Sequence, residues 1–239
     1  IGPGGFKRSL RHDRFVPDVA VVDPGLTLAC PAGVTAASGL DAFTQLLESY
    51  VSTNASPYTD ALAKSGLVMA GGSLAAAATH GAGDIVVRAR MSYAALVSGI
   101  TLAAAGLGVV HGLAASIGGR IGIPHGVVCG RLLGAATQVN IESMQSREPE
   151  NPALSRYARI SRILNKDPVL ATDETRALKN LVNTVNAWVK QLKMPLLSEY
   201  GINRADFPRI VASCRGGSMK TNPLILTDEE VTAILCRRI

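Results

Sequence analysis

At 239 residues the chain is long enough to bury a core of its own, and its length fits one or two domains. Hydrophobic residues make up 47% of it and aromatic residues only 4%, alongside 24 glycines, a mixture that favours closely packed helices over a β-sandwich. The formal charge is +6, but basic residues cluster at the two ends, in KRSLRHDR (7–14) and CRRI (236–239), without interleaved aromatic residues; this argues against a nucleic-acid partner and for a solvated basic surface.

In chain order, FVPDVAVVDP (15–24) is a short β-branched run between prolines and reads as a single strand. One strand makes no stable sheet, so it is expected to be the remnant of something upstream. A helix is expected from Thr35 to Ser52, with Leu40, Phe43, Leu47 and Tyr50 on its apolar side and Asp41, Gln45 and Glu48 along one stripe. Ser56-Pro57 caps and opens a second helix that runs to about His80-Gly81. Asp84 starts a third, which reaches the glycines at 106 and 108.

The stretch from Tyr93 to Gly119 has no Lys, Arg, Asp or Glu and is long enough to span a bilayer. Ala and Gly contribute little insertion energy, however, and no aromatic belt brackets the stretch, so it reads as a helix buried on all sides in a protein without a membrane partner. A small Ala/Gly-rich membrane protein is the reading it displaces. Pro124 opens another helix, 143–153 reads as a polar loop, and helices follow at about 152–164, 173–193 and 204–214. The last begins at Thr227, where TDEE forms a capping box with Glu230. Cysteines 30, 129, 214 and 236 form no CxxC pair, which points to a reducing, cytoplasmic compartment.

Two of the four histidines stand out. His111 lies early in a helical segment and His125 follows Pro124 in the first turn of the next, with glycines 118, 119 and 122 between them allowing the chain to fold back. A helix N-terminus disfavours imidazolium, so His125 is expected to be neutral, the state that binds metal. Two neutral imidazoles and a carboxylate, here Asp41, suit a divalent ion. The alternative is a solvated stripe on a surface helix plus two core histidines.

VPDVAVVDPGLTLACP followed by SGLDAFTQLLESYVS resembles the entry to the C-terminal helical domain of the iron-containing (group III) alcohol dehydrogenases. RARMSYAALVSGITLAAAGLGVVHG, IPHGVVCGRLL and NPLILTDEEVTAIL extend the likeness, in matching order, over nearly the whole chain. The resemblance implies an all-α, dehydroquinate synthase-like domain over 31–239, with 1–30 as the remnant and linker strand of an absent α/β nucleotide-binding domain. Neither AGGS (70–73), inside a helical pattern, nor GPGG (2–5), with no helix after it, serves as a dinucleotide fingerprint.

The family's metal is held by one Asp and three His, and its positions correspond here to Asp41, Gln45, His111 and His125, with Gln45 departing from the pattern. Gln45 is expected to be a weak amide-oxygen ligand or to orient a water, Glu48 to lie behind the ligands or on the helix surface, and Cys129 to be a small buried residue that can lean toward the ion. Ala115 stands where many members carry a His near substrate. The resemblance implies reversible oxidation of an alcohol to an aldehyde or ketone, with Fe²⁺ first and Zn²⁺ second as the metal, NAD(P) as cofactor and a homo-oligomer, a dimer, as the assembly. These 239 residues alone are expected to be inactive, and a metal-free helical module of the same family is the rival reading.

Overall fold

The computed structural model describes residues 12–119, 121–165 and 167–238, apart from the Asp13 side chain. The glycines at 2–5 and most of the basic run at 7–14 lie outside these residues.

Helices make up the regular structure. They are α1 (Ala32–Val51), α2 (Pro57–Ala77), α3 (Ile85–Ala105), α4 (Val109–Gly118), α5 (His125–Arg147), α6 (Ala153–Leu164), a short α7 (Val169–Thr172), α8 (Glu174–Gln191), α9 (Phe207–Cys214) and α10 (Asp228–Cys236). The strand expected over 15–24 does not form. Residues 16–23 form no strand ladder, and Val19, Val21 and Val22 are exposed. A strand edge needs a second edge to satisfy its amides, and none is offered among the described residues.

Helix α1 is the axis of the fold. It packs against α2, α3 and α5, so residues around nearly its whole circumference are buried, from Leu40, Phe43 and Leu47 to Thr44, Glu48 and Ser49. The stripe is therefore no wet face. Buried Arg88 of α3 donates to Thr35 Oγ1 (3.0 Å) and to the Ala82 carbonyl (2.8 Å), tying the start of α1 to α3. At the other end, Arg156 of α6 donates to the Tyr50 carbonyl at 2.6 Å and stacks over the Tyr50 ring.

The uncharged stretch from 93 to 119 is two helices, not one. Gly106 ends α3 with φ +78°, a left-handed conformation that a side chain resists. Ser52 Oγ donates to the Ala105 carbonyl (2.6 Å) and Ser49 Oγ to the Gly106 carbonyl (3.0 Å), so α1 holds the turn. Helix α4 is mostly buried. Helix α3 departs from the expectation of burial on all sides: Tyr93, Leu96 and Ile100 are exposed on its outer side, and it is long and apolar enough to cross a membrane by length and composition.

Local capping follows the expected signals. Ser56 Oγ accepts from Thr59 N and Thr59 Oγ1 accepts from Ser56 N. Thr227 and Glu230 form the reciprocal pair that opens α10. The loop expected at 143–153 is shorter, because α5 continues to Arg147. Ser143 and Met144 are buried, and Arg147 pairs with Glu230 at 2.9 Å, so packing against α10 carries the helix on through polar residues.

Candidate metal centre

Three helices deliver the site. Asp41 sits mid-way along α1, His111 in the first turn of α4, and His125 and Cys129 one turn apart at the start of α5. Their approach depends on glycines. A side chain at Gly126 would put its Cβ 2.5 Å from the Ala37 carbonyl oxygen, so only glycine lets the start of α5 press against α1 beside Asp41. A Cβ at Gly108 would stand 2.8 Å from Asn222 Oδ1 and 2.9 Å from Glu48 Oε1.

Those two oxygens cap α4 from outside, because Gly108 has no side chain to do it. Asn222 Oδ1 accepts from Val109 N at 3.1 Å and Glu48 Oε1 accepts from Val110 N at 2.7 Å. The other Glu48 oxygen lies 2.6 Å from His111 Nδ1. Glu48 thus keeps the proton on Nδ1 and turns Nε2 toward Asp41, the arrangement in which a histidine presents a lone pair to a metal.

His111 Nε2 is 3.2 Å from Asp41 Oδ1, and His125 Nε2 is 3.8 Å from the same oxygen. The two rings stand with centroids 5.4 Å apart. Cys129 Sγ lies 3.8 Å from His111 Nε2 and 3.6 Å from His125 Nε2. One donor atom from each of Asp41, His111, His125 and Cys129 falls within 4.8 Å of all the others. Hard, borderline and soft donors facing one point suit a divalent transition ion.

Gln45 is nearby but engaged. Its Nε2 donates to Asp41 Oδ2 at 3.1 Å and its Oε1 accepts from Ser98 Oγ at 2.7 Å. The amide cannot be turned over without setting its oxygen against a carboxylate, so Asp41 fixes its orientation. In this arrangement Gln45 braces Asp41, and its oxygen accepts from Ser98. Ala115 is exposed on α4, one turn beyond His111.

The acid, the imidazoles and the thiol are coupled through burial and charge. Burial pushes the Asp41 carboxyl up, but the hydrogen bond and charge of His111, aided by His125, hold it below the usual carboxylate range. Burial opposes charge on His111, yet Cys129, Asp41 and Glu48 around the ring raise it well above the usual imidazole range. Burial pushes the Cys129 thiol up to about 12.

The role of Glu48 and the caps of α4 are not readable from spacing. Glu48 and His111 are 63 residues apart, and Asn222 and Val109 are 113 apart. The one local signal is Glu48 itself, an acid three residues after Gln45 on the Asp41 stripe.

Comparison with known proteins gives the site its setting. Residues 35–239 match the Fe-containing alcohol dehydrogenase family, C-terminal. The chain is 34% identical over 195 residues to 1-propanol dehydrogenase PduQ of Citrobacter freundii, covering 82% of this chain and 50% of that protein. It is 30% identical over 223 residues to 1,3-propanediol dehydrogenase of Klebsiella pneumoniae, covering 92% and 55%. The solved alcohol dehydrogenase from Oenococcus oeni superposes with a TM-score of 0.80 at 28% identity, over 90% of this chain and 54% of that one. The chain spans about half the length of the curated relatives it matches. On the profile match, the identities and the shared fold, this chain belongs to the iron-containing (group III) alcohol dehydrogenase family and corresponds to its C-terminal helical domain.

Proposed function

We propose that this chain is the metal-binding helical domain of an NAD(P)-dependent alcohol dehydrogenase that interconverts a small alcohol with its aldehyde or ketone. Residues 31–239 form that domain, and 1–30 link it to a nucleotide-binding domain that brings NAD(P). The observation that carries the reading is the meeting of Asp41 Oδ1, His111 Nε2 and His125 Nε2 from three helices.

Asp41, His111 and His125 would hold the ion. When bound, the metal supplies a Lewis acid at the alcohol or carbonyl oxygen. Glu48 keeps His111 in the tautomer that leaves Nε2 as a donor, and Gln45 anchors Asp41 Oδ2 so that Oδ1 faces the histidines. Ala115 offers no side-chain proton acceptor, so the alcohol proton would leave to water. The names of the relatives favour short primary alcohols such as 1-propanol and 1,3-propanediol as substrates. The four cysteines are free, which suits a reducing cytoplasm, and a homodimer is the expected assembly.

The metal-free rival draws on Gln45, whose oxygen is taken by Ser98. Elemental analysis of the full-length protein, with NAD⁺- and NADP⁺-linked assays on a panel of short alcohols, separates the two. One equivalent of divalent metal, lost together with turnover in Asp41→Asn, is the expected result. Turnover that persists without metal, or a folded protein that takes up none, would overturn the proposal.

A further inference from the structure

Beside Asp41 and the two histidines the structure places a sulfur, that of Cys129. We propose that Cys129 is a ligand of this metal centre, making it an Asp-His-His-Cys site that favours Zn²⁺ over Fe²⁺; the inference rests on the metal-site reading above.

Three observations carry it. First, Cys129 follows His125 by four residues in α5, so the two side chains share one helix face and reach the same point. Second, the separations fit an ion between the donors. Bonds of about 2.0–2.2 Å to N and O and about 2.3 Å to S imply tetrahedral edges of roughly 3.4 Å for N···O and roughly 3.6 Å for S···N. The corresponding distances are 3.2 and 3.8 Å from Asp41 Oδ1 to the two imidazoles, and 3.8 and 3.6 Å from Cys129 Sγ to them. Third, Gln45 is engaged with neighbours other than the donor cluster's sulfur and imidazoles: its Oε1 accepts from Ser98 and its Nε2 donates to Asp41.

Cys129 is fully buried, so the sulfur has no solvent to face and its polar neighbours are the site itself. Coordination forms an S–metal bond and breaks the S–H bond, the proton leaving to solvent by way of the partly exposed His125, with no change of oxidation state. A soft thiolate added to two imidazoles and a carboxylate widens the preference for Zn²⁺ over Fe²⁺ beyond that of an all-N/O set.

The test is an anaerobic titration of the purified full-length protein with Co²⁺ in place of the native ion, followed by absorption spectroscopy. A thiolate ligand produces an intense near-ultraviolet sulfur-to-cobalt charge-transfer band that N and O ligands do not. The expected result is one cobalt per chain with that band. Cys129→Ser should then bind cobalt without the band and about ten-fold to a hundred-fold more weakly. It should also narrow the preference for Zn²⁺ over Fe²⁺. The wild-type spectrum is decisive even if the variant folds poorly. Stoichiometric cobalt with no band would overturn the role of Cys129 and leave the three-residue metal site standing. Failure of the folded protein to bind cobalt at all would overturn both.

Discussion

Glu48 and His111 meet inside the protein, with Glu48 Oε2 2.6 Å from His111 Nδ1 and both side chains almost fully buried. One carboxylate thereby performs two tasks, since its other oxygen caps the first turn of the helix that carries the histidine. Orientation of the ring and position of its helix are set by the same residue. Glu48→Gln keeps the shape but leaves a single acceptor for two donors. It is expected to weaken metal binding about ten-fold to a hundred-fold and to cost roughly 1–3 kcal/mol of stability. Competition with a chromogenic zinc chelator, together with urea denaturation, reads both effects. Unaltered zinc affinity in a folded variant would mean that His111 needs no partner on Nδ1.

Proton and metal compete for His111 Nε2, and the sign follows from the raised pKa. In the metal-free protein the folded ring titrates well above its unfolded value of about 6.5. Its contribution to stability is therefore full below that value and lost as pH rises through the folded pKa. Metal must displace the proton, so zinc affinity should rise across the same window. Thermal melts with and without Zn²⁺ should show a small stabilisation near about pH 6 that grows toward about pH 9. A zinc-induced shift in Tm that is flat with pH would count against His111 as a ligand.

Gly126 and Gly72 make opposite predictions from the same substitution. Gly126→Ala drives a Cβ to 2.5 Å from a backbone oxygen of α1, and backbone cannot step aside as a flexible side chain can. Helix α5 must retreat, carrying His125 away from Asp41, at a cost on the order of 1–3 kcal/mol and with loss of metal. Gly72 sits within α2, and a Cβ added there would meet nothing within 4 Å, so Gly72→Ala should stabilise by up to about 1 kcal/mol. Denaturation midpoints and zinc stoichiometry of the two variants check the pair. Equal metal binding in Gly126→Ala and wild type would show that the helix contact does not build the site.

These contrasts mark what a linear reading can reach. Asp41, Gln45 and Glu48 share a helix face by spacing alone, and a proline before His125 with glycines behind it is enough to expect a return of the chain. Whether that face is wet or buried is not written locally, because it depends on α2, α3 and α5 closing around α1. Capping boxes at Ser56 and Thr227 are local and therefore legible. The β-branched residues at 15–24 suggest a strand, yet pairing needs a partner edge, which composition cannot supply. The length of α5 escapes a local reading for a similar reason: polar residues 145–147 read as loop until α10 packs beside them. Gln45 takes its expected role from its place in a family pattern, whereas its contacts with Asp41 and with Ser98, the latter 53 residues away, are set by packing.

The two residues beside the triad, Gln45 and Cys129, are expected to be coupled. Gln45 bonds to Asp41 and Cys129 lies 3.8 Å from His111 Nε2, and if the sulfur occupies the place an imidazole at 45 would take, the two positions supply one donor between them. Cys129→Ser should then lose about ten-fold to a hundred-fold in zinc affinity. Gln45→His, one turn from Asp41 on α1, should restore most of that loss by bringing a neutral nitrogen donor to the ion. Added to wild type, the same Gln45→His should tighten binding by much less, since a fourth donor is already present. The double-mutant cycle therefore has a clear sign: the pair binds better than the sum of the single effects allows. Zinc titrations of the four proteins under anaerobic conditions measure it. Independent, additive effects would mean that residues 45 and 129 do not serve the same coordination place. A Gln45→His variant that fails to rescue Cys129→Ser at all would mean that position 45 faces Ser98 rather than the ion, whatever residue it holds.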